Sequence, residues 1–81
     1  EIKFSIINKC KDIIKKKYKN YTLVDGIRVR NNLGWWLIRA SNTQPALIIR
    51  SEASSEIKLK QILKEIEDIL QTAGINAKLK T

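Results

Sequence analysis

Seven residues near the middle of the chain, Arg39-Ala-Ser-Asn-Thr-Gln-Pro45, gather one guanidinium, two hydroxyls and two carboxamides between two apolar runs, GWWLI and ALII. These types suit the capture of a phosphate. A dianion needs several converging donors, and an arginine fork, hydroxyls, a carboxamide N–H and loop backbone N–H groups can supply them. Neither hydroxyl has a basic neighbour in the chain to activate it, so the loop is equipped to hold an anion rather than to attack one. The same residues support a plainer reading. Ser41, Asn42 and Thr43 bend their own backbone through side-chain hydrogen bonds, and Pro45 ends a turn sharply at a strand start. A polar hairpin loop with a solvated Arg39 needs nothing more.

Other chemistries are short of parts. The chain has no histidine, which removes Ser/His and Cys/His nucleophiles, histidine metal sites and a histidine proton shuttle. Its five Glu and three Asp are scattered without a D-x-D or E-x-x-E spacing, so no metal site and no acid/base pair is expected. The single cysteine, Cys10, cannot form an internal disulfide and falls on the apolar side of a helical pattern, where it reads as a buried thiol.

The net charge of +8 points to a polyanion partner, and its distribution says more than its size. All twelve Lys lie within the first 19 residues or from Lys58 onward, whereas Arg28, Arg30, Arg39 and Arg50 occupy the centre. Hydrated ammonium groups suit solvated faces, and planar guanidinium forks suit bidentate contact with phosphate or carboxylate. Lys9, Lys11, Lys15 and Lys16 therefore read as a solvated helix face, with nucleic acid or membrane contact as the other reading.

The elements that must carry these residues follow from periodicity. Ile6, Ile7, Cys10, Ile13, Ile14 and Tyr18 recur at three and four, predicting an amphipathic helix from Ser5 to about Tyr18. A cleaner stripe, Leu59, Ile62, Leu63, Ile66, Ile69, Leu70 and Ala73, predicts a second helix, with Ser54 or Ser55 as N-cap and Gly74 just past its end. Between them the period drops to two: Tyr21 to Val24, an Asp25-Gly26 turn, Ile27 to Arg30, a turn at Asn31 to Gly34, Trp35 to Ala40, and Ala46 to Glu52. Ile75, Ala77 and Leu79 suggest a further edge strand. The expected fold is α+β: a two-layer sandwich, an antiparallel sheet of about four strands with two helices on one face.

At 81 residues the chain has room for one modest core, so residues 1–81 are expected to form a single domain. It has no apolar run long enough to span a bilayer and no signal-peptide pattern at its start, which predicts a soluble, cytoplasmic protein; an opening without Met suggests a fragment of a longer one. If the loop is a simple hairpin pairing Ala40 with Ala46, Arg39 and Arg50 point to opposite faces of the sheet. Arg50 then shares the loop's site only through another register or a bulge. Trp35 and Trp36, as successive strand residues, should face opposite ways, one in the core and one half exposed against a neighbouring domain or, less in keeping with the composition, a base.

Asp25-Gly-Ile-Arg-Val29, Gly34-Trp35 and RASNTQPALIIRSEA from Arg39 to Ala53 together resemble the C-terminal domain of the phosphohexomutases, most nearly the bacterial phosphomannomutase/phosphoglucomutase type. The resemblance covers the whole chain in element order, and the R-x-S-N-T-x-P loop is its specific part. It implies a fourth and last domain with a TATA-binding-protein-like fold, whose loop holds the non-reacting phosphate of a hexose phosphate, mannose or glucose, through Arg39, Ser41, Asn42 and Thr43, with Arg50 matching a later family arginine. It also implies a parent enzyme that moves phosphate between O1 and O6 through a bisphosphate intermediate. The family's phosphoserine loop, its D-x-D-x-D magnesium loop and its sugar-reading G-E-M-S-G-H loop are absent from this chain, so the phosphoserine and magnesium are expected elsewhere in the parent and the 81 residues alone should be inactive. Ser51 stands where relatives often carry an aromatic.

Two alternatives stay open. A small basic nucleic-acid-binding module would suit the net charge, the paired Trp and a helix-backed sheet, although the Lys fall on predicted helix faces and aromatic content is only 6%. A non-catalytic structural domain that kept the loop by ancestry is a further reading.

Overall fold

The computed structural model describes residues 2–41, 43 and 46–75. Two helices, α1 (Ile2–Lys17) and α2 (Glu56–Thr72), enclose four strands in chain order: β1 (Tyr21–Thr22), β2 (Ile27–Asn31), β3 (Gly34–Ala40) and β4 (Leu47–Ala53). The strands form one antiparallel sheet in the order β1-β2-β3-β4. The α+β architecture expected from periodicity is the one observed.

Helix α2 forms where capping and burial agree. The Ser55 hydroxyl accepts the Lys58 N–H at 3.2 Å, Glu56 places a carboxylate in the first turn, and Ala73 closes the last turn before Gly74 turns left-handed at φ 107°. Its stripe buries Ile62, Leu63, Ile66, Ile69 and Leu70. Helix α1 contributes Ile7, Cys10 and Ile14, and its last turn carries Lys15, Lys16 and Lys17, the sign that suits a helix C-terminus. Tyr18 follows the helix, its N–H still bonded to the Ile14 carbonyl at 2.9 Å.

Both helices cover the same sheet face. Ile27 and Val29 of β2 and Trp36 and Ile38 of β3 are 0–1% exposed and meet the helix stripes. Each such side chain contributes about 1.5–3 kcal/mol by leaving water. Cys10 is buried here as expected, and burial raises its thiol pKa. Trp36 is the largest buried side chain, and its indole N–H needs a partner. Glu65 of α2 supplies it, accepting from Trp36 Nε1 at 3.0 Å and from Asn31 Nδ2 at 3.3 and 3.4 Å. Asn31 in turn closes the β2–β3 connection, its Oδ1 accepting the Leu33 N–H at 2.9 Å. Tyr18 packs edge-on against Trp36, with centroids 6.1 Å apart. Burial, then the neighbouring Glu65 carboxylate and the charge of Asp68, push its phenol up to about 12.

Several boundaries differ from the sequence reading. Helix α1 begins earlier, at Ile2, and β4 begins one residue later, at Leu47. β1 ends at Thr22, not Val24, because Asp25 and Gly26, with φ 57° and 110°, belong to a longer connection that leaves Thr22 opposite Arg28. The edge strand suggested by Ile75, Ala77 and Leu79 reaches beyond Ile75 outside the described residues.

Candidate functional site: an arginine face on the open side of the sheet

The register between β3 and β4 decides what the sheet can bind. Ala40 pairs with Leu47, Arg39 with Ile48 and Leu37 with Arg50. The simple pairing of Ala40 with Ala46 is therefore displaced by one residue. Ser41 continues the ladder instead, its N–H donating to the Ala46 carbonyl at 2.9 Å. Side chains alternate along a strand, so this single step carries Arg50 from the face opposite Arg39 to the same face. No bulge is needed to bring the two together.

The same reasoning extends to β2. Arg28 pairs with Leu37 and Arg30 with Trp35. Residues 35, 37 and 39 of β3 point away from the helices, while Trp36 and Ile38 are buried beneath them. All four arginines of the chain thus stand on the open face. Arg28, Leu37 and Arg50 form one row across three strands, with Arg39 in the row beside it. Two interstrand spacings separate the roots of Arg28 and Arg50 by about 10 Å, with Leu37 between them.

These residues border a concavity of about 630 Å³, lined by Thr22, Val24, Asp25, Arg28, Leu37, Arg39, Ile48 and Arg50. Leu37 and Ile48 give it an apolar floor. Three of the lining residues are arginines and one, Asp25, is a carboxylate. Asp25 Oδ2 lies 3.9 Å from Arg39 Nη1, with both side chains well exposed to water, at 43% for Arg39 and 84% for Asp25. Such a pair is held loosely and screened by salt.

A glycine sets the position of Arg39. Gly26, at φ 110°, precedes the Ile27–Ile38 pair and lies against Arg39. A Cβ there would meet the Ile38 carbonyl oxygen at 2.7 Å and Arg39 Cβ at 2.8 Å. Only a residue without a side chain lets the turn lie against the base of Arg39 and bring Asp25 beside its guanidinium.

The loop residues take different roles. Ser41 is buried, and its hydroxyl accepts the Thr43 N–H at 3.3 Å, so the self-bending expected of the loop is present. Thr43 is exposed. Asn42, Gln44 and Pro45 lie outside the described residues. Of the five residues singled out in the sequence, Arg39 and Arg50 come together at the concavity, and Ser41 and Thr43 lie in the connection that joins their strands. Arg28 was not singled out as a site residue. Its signal was present: the alternation Ile27-Arg28-Val29-Arg30 puts both arginines on one face, and only the register places that face with Arg39.

Trp35 and Trp36 divide as expected. Trp36 is in the core, while Trp35 is half-buried on the open face, where Arg28 lies over its ring at 4.7 Å and its Nε1 donates to Glu52 Oε1 at 3.2 Å.

The family pattern for the phosphoglucomutase/phosphomannomutase C-terminal domain matches residues 4–69, which takes in every strand, the loop and nearly all of both helices. The chain belongs to this family. Among individual relatives, a Pseudomonas putida protein named phosphomannomutase/phosphoglucomutase is 42% identical over 72 residues, 89% of this chain and 15% of its own length. The protein of that name from Pseudomonas aeruginosa strain PAO1 is 43% identical over 60 residues, 74% of this chain and 13% of its own. A probable phosphoglucosamine mutase from Pyrococcus horikoshii is 32% identical over 74 residues, 89% of this chain and 16% of its own. The chain therefore spans about a sixth or less of these relatives, and all four arginines lie within the residues that the family pattern matches. No helix among the described residues of this domain is long and apolar enough to cross a membrane.

Proposed function

We propose that the open face and the Arg39–Thr43 loop hold the phosphate of a phosphorylated hexose. In this reading the chain is the last domain of a longer cytoplasmic enzyme that interconverts hexose 1-phosphate and hexose 6-phosphate through a bisphosphate intermediate. The observation that carries the reading is the register: it sets Arg28, Arg39 and Arg50 around one concavity, opposed among the described residues by the Asp25 carboxylate. Arg39, Ser41, Asn42, Thr43 and Arg50 are the proposed contacts, with Arg28 added to them. Planar forks on a rigid sheet meet phosphate oxygens at low conformational cost, and the low-lying Leu37 and Ile48 keep the floor from competing for hydrogen bonds. A grip that reads phosphate and not sugar serves both orientations of a bisphosphate that turns around in its site.

The chain's own residues are then a clamp. The described residues contain no group of three or more His, Cys, Asp and Glu that could hold a metal. The magnesium and the phosphoserine of the parent enzyme are assigned to its other domains, and the isolated chain is expected to be inactive. Nucleic acid binding has less support, because Arg28 already covers a face of Trp35 and Glu52 engages its N–H.

The test is a titration of backbone amide shifts with glucose 6-phosphate at fixed ionic strength, with glucose as control. Saturable shifts on β3, β4 and residues 39–43, absent with glucose, are expected. Arg39→Gln and Arg50→Gln should each weaken binding on the order of tenfold, one charge-assisted hydrogen bond. Equal shifts with glucose, or shifts spread over the lysine-bearing helices, would refute the reading.

A further inference from the structure

We infer that Trp35, pinned by Glu52, is a positioning residue for the anion site: its ring is the platform that holds the guanidinium of Arg28, one of the arginines that line the concavity. The inference rests on the phosphate-holding reading of the open face and adds to it two residues outside the predicted site. Arg28 lines the concavity, whereas Trp35 and Glu52 do not. Both are therefore placed to act on a held anion through Arg28.

Three placements carry this. Arg28 Cζ lies 4.7 Å from the centroid of the Trp35 ring, within the range where a cation is attracted to an indole face. The ring itself is fixed, since Trp35 Nε1 donates to Glu52 Oε1 at 3.2 Å and Glu52 is its direct cross-strand partner on β4. Arg28 is not Trp35's direct partner. That place belongs to Arg30, with Leu37 opposite Arg28, so Arg28 reaches diagonally across the sheet to the ring. An exposed arginine otherwise samples many rotamers, and fixing it in advance removes an ordering cost when an anion arrives. The arrangement spans three strands, from Arg28 on β2 through Trp35 on β3 to Glu52 on β4, and ties the arginine to the next two strands of the sheet.

A double-mutant cycle tests it, read as the affinity of the 81-residue chain for glucose 6-phosphate by amide shift titration. Trp35→Leu should weaken binding roughly two- to fivefold, the factor that an exposed cation–π contact supports. Trp35→Phe, which keeps an aromatic face, should retain most of the affinity, and Glu52→Gln, which keeps an acceptor, should change little. In an Arg28→Gln background Trp35→Leu should have no further effect. If Trp35→Leu weakens binding equally with and without Arg28, or not at all while Arg28→Gln does, the platform is refuted and the phosphate-holding face stands. If the parent chain does not bind the sugar phosphate, the failure lies with the phosphate-holding reading. The melting temperature of each variant separates a loss of fold from a loss of grip.

Discussion

Glu65→Ala should destabilise the domain far more than an average helix-surface substitution, although Glu65 is only partly buried. Its carboxylate is the acceptor for the indole N–H of Trp36, a side chain with no exposure at all. A hydrogen bond to a charged acceptor contributes about 1.5–3 kcal/mol, and leaving the donor buried and unpaired costs a similar amount. The two longer contacts from Asn31, at 3.3 and 3.4 Å, share one Nδ2 and add about 0.5–1 kcal/mol. The expected loss is about 2–4 kcal/mol, a large part of the roughly 5–15 kcal/mol that holds an ordinary domain together. For a chain of this size that lowers the melting temperature by about 10–30 °C. Glu65→Gln keeps a neutral acceptor and should lose about 1 kcal/mol. Thermal melts followed by circular dichroism, with Lys64→Ala on the neighbouring solvent-facing position as control, measure both. A fall of less than about 4 °C for Glu65→Ala would show that water replaces the carboxylate and that Trp36 does not depend on it.

Stability should also fall in alkali through Tyr18. Its folded pKa of about 12 lies above the ordinary value of 10, so its contribution is complete below pH 10 and disappears as the pH rises towards 12. Denaturant unfolding of Tyr18→Phe should give a flatter profile across that window, and the phenolate absorbance of Glu65→Gln should appear at lower pH than that of the parent. Gly26→Ala should lose roughly 2 kcal/mol from its positive φ and the contact with Ile38 and Arg39, and should weaken phosphate binding by displacing Arg39; an unchanged affinity would detach the turn from the site. Asp25→Asn keeps a residue that accepts left-handed backbone while removing the only carboxylate that lines the concavity among the described residues. It should tighten phosphate binding about two- to fivefold at low salt, with the gain fading at high salt, and weaker binding would mean that Asp25 orients Arg39 instead.

The layers of the fold were legible because both helices carry apolar stripes at their own period and the strands alternate at theirs. The N-cap at Ser55 and the division of Trp35 from Trp36 followed from the same local rules. The site was legible only in part. Arg39 could be found from the company it keeps in the loop, whereas the place of Arg50 depended on whether Ser41 adds one more rung to the ladder, a choice of one hydrogen bond that residue types do not announce. Arg28 depended on two registers in succession. The turn at Asp25-Gly26 was legible as a turn, but its pressure on Arg39 arises from a pairing between strands and not from any neighbour in the chain.

The position of β4 gives Arg50 a second task. Among the described residues β4 pairs only with β3, and none of them pairs with the outer side of Leu47-Ile-Ile-Arg-Ser-Glu-Ala53. An apolar border strand of this kind invites a further strand from another molecule, and charged side chains on it discourage that association. Arg50 and Glu52 are the charges it carries. Removing the guanidinium proposed for phosphate should then lower the protein concentration at which aggregates form as well as the affinity for the ligand.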